Sequence, residues 1–493
     1  MPIRIIKIEA KNFRVFGSRP LKIDLTSSGK NLLIYGENGS GKSSLFLALK
    51  DFLECTGRDA AKRNVTLFPF RNIFATTDDG FVKLELTGLP RPEHQSKAQK
   101  KRPMTHVYEW SKTKDETNDQ LILEINKTKG FIDYKALLAT YFLHQDQDTV
   151  NIFSLLIGSV LENVENDITN QKFGDEWKAI LKTLGTLNYK SPKAKSALEE
   201  STKNFSDGLI EKLKELQTKA KTILDSFGYT LDLEIGCSGI SFDVKAKEIR
   251  NQKVILKVKS FGHDRDGHHL FLNEAKLSGI AISIFFAALL LQPESRLRIL
   301  ALDDVLIGLD MSNRLPVLDI LKEHFSEYQI FFFTYDRAWF EIVKLRFTDW
   351  ATAEFFAGRT DERDFSVYNH GKSYLEVAKE YLADHDYKAA MVYLRTHFEM
   401  ILKKFCDKKK LAVTYHILDR RYTSENFWEA AKLAKKTDST NVISALVVAE
   451  IELYRTITIN ELCHASFVGT NQAEVAGAIA AVEALEVELV SFL

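Results

Sequence analysis

Residues 32–44 read Leu-Leu-Ile-Tyr-Gly-Glu-Asn-Gly-Ser-Gly-Lys-Ser-Ser, and an apolar, helix-like run continues over residues 44–49. The glycines let the backbone wrap so closely that successive N–H groups point at a phosphate. Lys42 is placed to reach the β- and γ-phosphate oxygens of a nucleotide, and the Ser43 hydroxyl is placed to bind Mg²⁺. The stretch therefore predicts a strand, a phosphate-binding P-loop and a helix. The predicted nucleotide-binding residues are Gly36, Asn38, Gly39, Ser40, Gly41, Lys42, Ser43 and Ser44.

Composition limits the classes of partner. The chain has 493 residues, of which 45% are hydrophobic, and this is enough for about two to four packed domains. Lys plus Arg and Asp plus Glu both number 67, so overall charge gives no argument for a nucleic-acid partner. A local basic cluster, residues 91–102, is more typical of a solvated surface loop, with contact to the phosphates of DNA or RNA as the alternative.

Cysteine usage and hydropathy indicate a cytoplasmic protein with no membrane partner. The four cysteines stand far apart, without the paired spacing of a disulfide framework or a zinc site. The first nine residues alternate apolar and polar side chains and lack the features of a signal peptide, so we expect the mature chain to begin at Met1. The most hydrophobic stretch, residues 280–291, is shorter than the about 20 residues that cross a bilayer, and it predicts a buried helix.

A second motif lies far downstream of the P-loop. Residues 298–304, Arg-Ile-Leu-Ala-Leu-Asp-Asp, read as a buried strand that ends in two carboxylates, as in a Walker B element. Asp303 is expected to hold Mg²⁺, and Asp304 is expected to orient or deprotonate the attacking water. Two acids after an apolar strand are more often a turn or a helix cap, but the P-loop reverses that preference.

Shorter motifs surround these carboxylates in the sequence. Residues 271–279 read Phe-Leu-Asn-Glu-Ala-Lys-Leu-Ser-Gly, residues 308–310 read Gly-Leu-Asp, and the apolar run 329–334 is followed by Tyr-Asp-Arg at 335–337. In this order they resemble the Leu-Ser-Gly signature, the D-loop and the switch loop of the ABC-type ATPases. The resemblance is to the RecF, SMC and OLD-like branch of that family.

The resemblance implies an ATPase head that dimerises around two ATP molecules. Each ATP would be held by the P-loop of one subunit and by Ser278 and Gly279 of the other. A helix beginning at Ser278 would present its N-terminal N–H groups to the γ-phosphate. Residues 8–16 resemble the opening strand of these heads, which places Asn12 and Arg14 near the nucleotide. The implied cofactors are ATP and Mg²⁺.

Two residues depart from the family pattern. Asp304 stands where many members carry a glutamate and is one methylene shorter. Tyr335 stands where transporters have a histidine that senses the γ-phosphate. These departures predict slow, switch-like hydrolysis, with Asp304, Lys42 and Ser278 as the catalytic residues.

A glutamine-containing stretch predicts a further metal ligand. Residues 145–148, Gln-Asp-Gln-Asp, follow the apolar run 137–143 and resemble the family's Q-loop. Gln145 or Gln147 would then bind Mg²⁺, and we expect Gln145 to do so. A polar surface loop is the alternative.

The predicted fold class is α/β, a P-loop ABC-type ATPase head followed by an all-α domain. Residues 1–150 would form the first half of the head, with the P-loop, an antiparallel β lobe and the Q-loop. Residues 151–228 would form a short helical insertion, where SMC-like proteins carry a coiled-coil arm. Residues 229–368 would complete the head, and residues 369–493 would form a helical partner or oligomerisation domain.

The first hypothesis for function is an ATP-driven switch that forms head-to-head dimers or higher oligomers and controls a separate effector protein such as a nuclease. No nuclease constellation is visible in the sequence itself. An ATPase of this size with a helical tail resembles the sensor subunits of prokaryotic anti-phage systems, such as PtuA of Septu or AriA of PARIS.

Two alternatives stay open at the level of sequence. In the first, Arg455, Asn460 and His464 resemble the catalytic residues of HEPN-type ribonucleases, which would make the chain an ATP-gated ribonuclease. The alternative is a purely structural role, in which Asn460 caps a helix and His464 is a packed or interface side chain. In the second alternative, the chain is a DNA-repair or chromosome-maintenance ATPase.

Overall fold

The computed structural model describes residues 2–55, 63–89, 104–138, 140, 150–265, 267–359, 364–369, 373–383, 385, 387–413, 424–436, 438–454 and 472–490. Contacts divide the chain into two compact units, residues 1–370 and residues 371–493. Each unit has its own hydrophobic core, and each is described by itself.

Eighteen strands are described, numbered in chain order. They are β1 (Arg4–Lys11), β2 (Leu21–Asp24), β3 (Leu32–Gly36), β4 (Phe81–Leu89), β5 (Met104–Ser111), β6 (Lys129–Asp133), β7 (Val150–Asn151), β8 (Glu165–Asn166), β9 (Gln171–Lys172), β10 (Leu231–Cys237), β11 (Ser241–Asp243), β12 (Glu248–Arg250), β13 (Val254–Ser260), β14 (His263–Arg265), β15 (Arg298–Asp303), β16 (Tyr328–Thr334), β17 (Ala351–Arg359) and β18 (Asp364–Asn369).

Fifteen α-helices are described, and a π-helical turn (Leu156–Val160) extends the fourth. They are α1 (Lys42–Glu54), α2 (Gln120–Lys127), α3 (Tyr134–Leu138), α4 (Phe153–Leu155), α5 (Phe173–Gly185), α6 (Pro192–Asp225), α7 (His268–Phe271), α8 (Glu274–Leu289), α9 (Met311–His324), α10 (Arg337–Arg346), α11 (Tyr374–Ala383), α12 (Tyr387–Lys409), α13 (Ser424–Lys432), α14 (Ala445–Tyr454) and α15 (Gln472–Leu489).

The first unit is built on a six-stranded sheet in the order β18-β17-β3-β16-β15-β6. Five of its strands are parallel, and β18 runs antiparallel at one edge. Strands β15 and β16 are buried along nearly their whole length, as expected when both faces of a parallel sheet are covered. Because β16 lies between β3 and β15, the carboxyl ends of these three strands meet at one edge of the sheet.

A four-stranded antiparallel lobe, in the order β2-β1-β4-β5, covers α1. Alternate residues of β2 and β4 point inward, and they share a core with the apolar face of α1 and with Trp110. Another antiparallel sheet, β10-β13-β14 with β7 on β13, lies in the later half of the unit. The predicted α/β head with an antiparallel lobe is therefore confirmed.

The insertion consists mainly of α5 and α6. The long helix α6 begins after Ser191, whose Oγ accepts a hydrogen bond from Ala194 N at 3.2 Å, and it has Pro192 in its first turn. Its buried stripe, which includes Leu209 and Leu213, packs in the core that also holds α8. Helix α8 is buried over its last two-thirds, and no helix of the described residues has the length and apolar character needed to span a bilayer.

The second unit is helical in its described elements, α11 to α15. Its core is formed by side chains of all five helices, among them Leu394, Phe398, Trp428 and Val482. The Trp428 indole Nε1 is also buried and donates to Glu452 Oε1 at 2.9 Å, so its polar atom is satisfied. The predicted all-α C-terminal region is confirmed.

One buried side chain joins the central sheet to the antiparallel lobe. Gln329, at the start of β16, is fully buried; its Oε1 accepts from Ile5 N at 2.8 Å, and its Nε2 donates to Ile5 O at 2.7 Å.

We expect Gln329→Met to lower the free energy of unfolding by about 2–3 kcal/mol, because the buried backbone groups of Ile5 lose their partner. Urea unfolding checks this against Gln120→Met, at an exposed position of α2, which should change little. Equal urea midpoints for the two variants would show that Gln329 does not stabilise the contact between the sheet and the lobe.

Candidate nucleotide-binding site

The loop between β3 and α1 has the backbone of a phosphate-binding nest. Gly39 and Gly41 adopt left-handed conformations with φ of 81° and 105°, and Gly41 is the N-cap of α1. A Cβ at Gly36 would come within 2.4 Å of Ser40 Oγ, so only glycine fits there. The predicted strand, loop and helix are present. The first N–H groups of a helix have no partners within it, so the start of α1 can donate hydrogen bonds to a phosphate held in the loop.

Lys42 is the first residue of α1 and is almost completely buried. Its Nζ donates to Gly36 O at 2.6 Å and to Glu37 O at 3.2 Å, and it lies 3.7 Å from Asp304 Oδ2. A lysine held by carbonyl oxygens of its own loop places positive charge at the centre of the nest. It can exchange these carbonyls for phosphate oxygens, which bind an ammonium group more strongly.

Asp303 ends β15 and faces the start of α1. It is hydrogen-bonded to the Ser43 side chain, and its Oδ1 is buried without a hydrogen-bond partner. The pKa of Asp303 is raised to about 6: burial is the largest cause, the Asp304 and Asp133 carboxylates also raise the pKa, and Ser43 and Lys42 lower it. A buried carboxylate with an unsatisfied oxygen, next to a hydroxyl group, is suited to a cation with oxygen ligands.

Asp304 follows Asp303 with a left-handed backbone, at φ 53°. Aspartate is one of the few residues that tolerate this conformation. Its Oδ1 accepts a hydrogen bond from Tyr335 N at 3.0 Å, and its Oδ2 faces Lys42. Burial raises the pKa of Asp304, and the nearby Lys42 ammonium opposes this. The carboxylate is thus fixed at the mouth of the loop, between two strand ends.

These residues fit a magnesium nucleotide. The loop amides and Lys42 would hold the phosphates, and Ser43 with Asp303 would hold the metal ion through oxygen ligands. When bound there, ATP–Mg²⁺ would supply the phosphoryl group and the positive charge that stabilises its transfer. Asn38 and Gly39 are exposed at the loop tip and Ser44 is half-buried in the first turn of α1, so they border the same space.

A third carboxylate at the site was not predicted. Asp133, the last residue of β6, stands directly opposite Asp303 in the parallel register. Its Oδ1 accepts from Ala136 N at 2.8 Å, so it also caps α3. The sequence signal is a short strand that ends in an acid, but it becomes informative only when β6 is known to neighbour β15. This acid adds negative charge beside the expected metal position.

Arg14 lies beside α1 rather than free in the site. It has a left-handed backbone at φ 51°, and its Nη2 pairs with Asp51 Oδ2 at 2.9 Å, in the third turn of α1. Its guanidinium also lies over the Phe13 and Phe70 rings, at 5.6 and 6.0 Å from their centroids. The contact between Arg14 and nucleotide remains a prediction.

Helix α8 differs from its predicted start. It begins at Glu274 rather than at Ser278, and Asn273 caps it by accepting a hydrogen bond from Lys276 N at 3.0 Å. Ser278 and Gly279 are buried by the chain's own contacts: a Cβ on Gly279 would come within 2.9 Å of the Tyr229 ring. The Leu-Ser-Gly residues are thus packing positions in the second turn, and Asn273 and Glu274 are the exposed residues at the helix start.

The other predicted motifs divide between described and undescribed residues. Tyr335 directly follows β16, the strand predicted to precede it, and its role in a switch loop remains a prediction. Residues 308–310 immediately precede α9, with Asp310 as its N-cap. Three predictions lie outside the described residues: the metal ligand Gln145, the basic stretch 91–102, and the candidate ribonuclease site of Arg455, Asn460 and His464.

The fold and the site together define an α/β P-loop ATPase head. The profile of the AAA domain family AAA_23 matches residues 7–256, which is just over half of the chain. The chain belongs to this family. No curated protein matches the sequence.

Solved structures with a similar fold include heads of SMC proteins. The Smc head domain with an extended coiled coil bound to the C-terminal domain of ScpA, from Pyrococcus furiosus, is 14% identical, with a TM-score of 0.44 over 77% of this chain and 99% of that chain. The SMC head domain from Thermotoga maritima is 13% identical, with a TM-score of 0.32 over 74% of this chain and 98% of that chain. These likenesses concern the fold alone.

Proposed function

We propose that this chain binds ATP–Mg²⁺ and hydrolyses it slowly. The observation that carries the proposal is the convergence of Lys42, Ser43, Asp303 and Asp304 at the carboxyl ends of β3 and β15, the parallel strands on either side of β16. Lys42 and the loop amides hold the phosphates, and Ser43 and Asp303 hold the metal. Asp304, fixed by Tyr335 N, orients or deprotonates the attacking water.

The proposal extends to an assembly of two heads around bound nucleotide. Helix α8 is 16 residues long and starts at the surface, so its dipole and free N–H groups face outward beside Asn273. Leu270 and Phe271, just before it, are 65% and 62% exposed. An anion-binding helix end flanked by exposed apolar side chains suits a second protein surface that carries a phosphate. We assign the contact to Asn273 and the start of α8, in place of Ser278 and Gly279.

The mass of the full-length protein in solution tests both parts. We expect light scattering to show a larger assembly with ATP–Mg²⁺ than without it, and a phosphate-release assay to show turnover below about 10 per second, the median for enzymes. A protein that neither binds nor hydrolyses ATP would disprove the first part. Hydrolysis with a mass that ignores nucleotide would disprove only the assembly.

We further propose that the switch acts on a separate effector in anti-phage defence. Support comes from the resemblance of the sequence to sensor ATPases of such systems and from the arrangement of an ATPase head, a helical insertion and a separate helical unit. The helical unit would bind the effector, and its exposed Leu446 and Val487 offer apolar contact surface.

A plaque assay in the native host tests this role. A strain that lacks the gene is complemented with the wild-type chain or with Lys42→Ala. Protection by the wild-type chain alone is expected, because the response should need the nucleotide site. Equal plating of phage on both strains and on the uncomplemented strain would exclude a defence role against the phages used.

A further inference from the structure

The loop of residues 308–310, the D-loop, touches the start of α8. A Cβ at Gly308 would come within 2.8 Å of Ser278 Oγ and within 3.0 Å of Glu274 Oε1. Only glycine allows the loop backbone to approach these side chains so closely. Because packed interiors transmit small displacements, a shift at the exposed start of α8 also shifts the D-loop.

Arg314 connects the D-loop to the switch loop. It lies in the first turn of α9, with its side chain only 12% exposed. Its Nε donates to Leu309 O at 2.7 Å, and its Nη1 donates to Asp336 Oδ2 at 2.5 Å. The rigid guanidinium fork therefore fixes the D-loop backbone and the start of α10 relative to each other.

Asp336 directly follows Tyr335, whose backbone N–H orients the carboxylate of the proposed catalytic acid, Asp304. Its Oδ1 accepts from Trp339 N at 3.1 Å and caps α10, and its N–H donates to Thr334 Oγ1 at 3.1 Å. The preceding residue, Tyr335, donates its N–H to Asp304 Oδ1. Arg314, Tyr335, Asp336 and Asp304 line one small cavity, so no other element separates them.

We propose that Arg314 is a positioning residue that makes the orientation of the Asp304 carboxylate depend on the D-loop. This inference rests on the proposed ATP hydrolysis and deepens it. When a second head contacts the start of α8, the displacement passes through Gly308 and Leu309 to Arg314. From there it passes to Asp336 and the Tyr335 amide. The orientation of the Asp304 carboxylate toward the attacking water then depends on the D-loop.

The test compares Arg314→Gln with the wild-type full-length chain. We expect kcat for ATP to fall at least about 10-fold, because small misplacement of a catalytic group is costly. The Kd of a fluorescent ATP analogue with Mg²⁺, and the ATP-dependent mass, should stay within about 2-fold of wild type. Unchanged kcat would overturn the inference, and so would parallel loss of kcat, binding and assembly.

Two further variants separate the two bonds and guard against misfolding. Arg314→Lys keeps a positive charge for Asp336 but lacks the fork that reaches Leu309 O, so its kcat should stay close to that of Arg314→Gln. Asp336→Asn keeps a good helix cap but weakens the pair with Arg314, so it should show the same loss of kcat with an unchanged melting temperature. A wild-type kcat in Arg314→Lys would show that the bond to Leu309 O, and with it the D-loop, does not affect the orientation of Asp304.

A matched control uses the other ion pair between the same helices. Arg346 on α10 pairs with Asp319 on α9, and both side chains are more than half exposed. Arg346→Gln should leave kcat unchanged, since exposed pairs contribute little and this one lies away from the site.

A wild-type chain without ATP binding or hydrolysis would disprove the proposed function itself. Normal hydrolysis in both wild type and Arg314→Gln would disprove only the role of Arg314.

Discussion

Lys42→Ala is expected to lower the affinity for ATP–Mg²⁺ by about 100-fold or more. Each hydrogen bond to a charged group contributes about 1.5–3 kcal/mol, and Lys42 is placed to make two such bonds to the phosphates. Its ammonium is also the positive charge nearest Asp304, at 3.7 Å. Without it, the phosphates meet the Asp303 and Asp304 carboxylates with less compensating charge. Titration with a fluorescent ATP analogue measures the loss.

The matched control for this prediction is Lys50→Ala. Lys50 lies on the same helix, α1, two turns beyond the loop, and is half-buried. The Lys50→Ala substitution removes an equal charge without touching the phosphate nest. The affinity for ATP–Mg²⁺ should therefore stay within about 2-fold of wild type, because charges away from the site are screened by salt. Similar losses in both variants would mean that overall charge, not the P-loop contact, holds the nucleotide.

Asp304→Asn is expected to lower kcat by about 10²–10⁴-fold, the contribution typical of a general base. The amide keeps the size of the side chain and can still accept the hydrogen bond from Tyr335 N. Asparagine also tolerates the left-handed backbone at this position, so the loop should keep its shape. ATP should still bind, and the ATP-dependent assembly should persist because it is no longer dissolved by hydrolysis.

Single-turnover phosphate release and light scattering measure the two effects on one sample. The comparison with Asp304→Ala is informative, because alanine adds the cost of a left-handed backbone, about 1–2 kcal/mol. Asp304→Ala should therefore melt at a lower temperature than Asp304→Asn, although both hydrolyse ATP slowly. Normal turnover in Asp304→Asn would assign the catalytic acid to another residue, and Asp133 would be the first to examine.

The sequence predicted the parts of the site that short local patterns encode. The glycines around Lys42 require unusual backbone angles, and such angles leave few alternatives for the residue type. The pair Asp303 and Asp304 ends a strand whose apolar run is long enough to recognise. In both cases local chemistry and secondary structure agree, so the expectation needed no knowledge of the strand order.

The remaining features depend on contacts between distant segments. Asp133 becomes part of the site only because β6 pairs with β15, and strand pairing does not follow from local pattern. The start of α8 was misplaced because Leu-Ser-Gly resembles a family motif, whereas the capping asparagine, Asn273, is the stronger physical signal for a helix start. Arg314 was missed since a helical arginine is usually a solvent-exposed residue, and only the tertiary fold brings it to Asp336.

The left-handed backbone of Asp304 restricts how this chain can change during evolution. Many members of the ABC-type family that the sequence resembles carry a glutamate here, and glutamate has no special tolerance for a left-handed backbone, whereas aspartate does. A single replacement by glutamate would lengthen the acid and strain the loop at the same time, so we expect Asp304→Glu not to hydrolyse ATP faster than the wild-type chain. Under the slow hydrolysis that we propose, the head would act as a timer, and its period would depend on the main-chain geometry of the turn after β15.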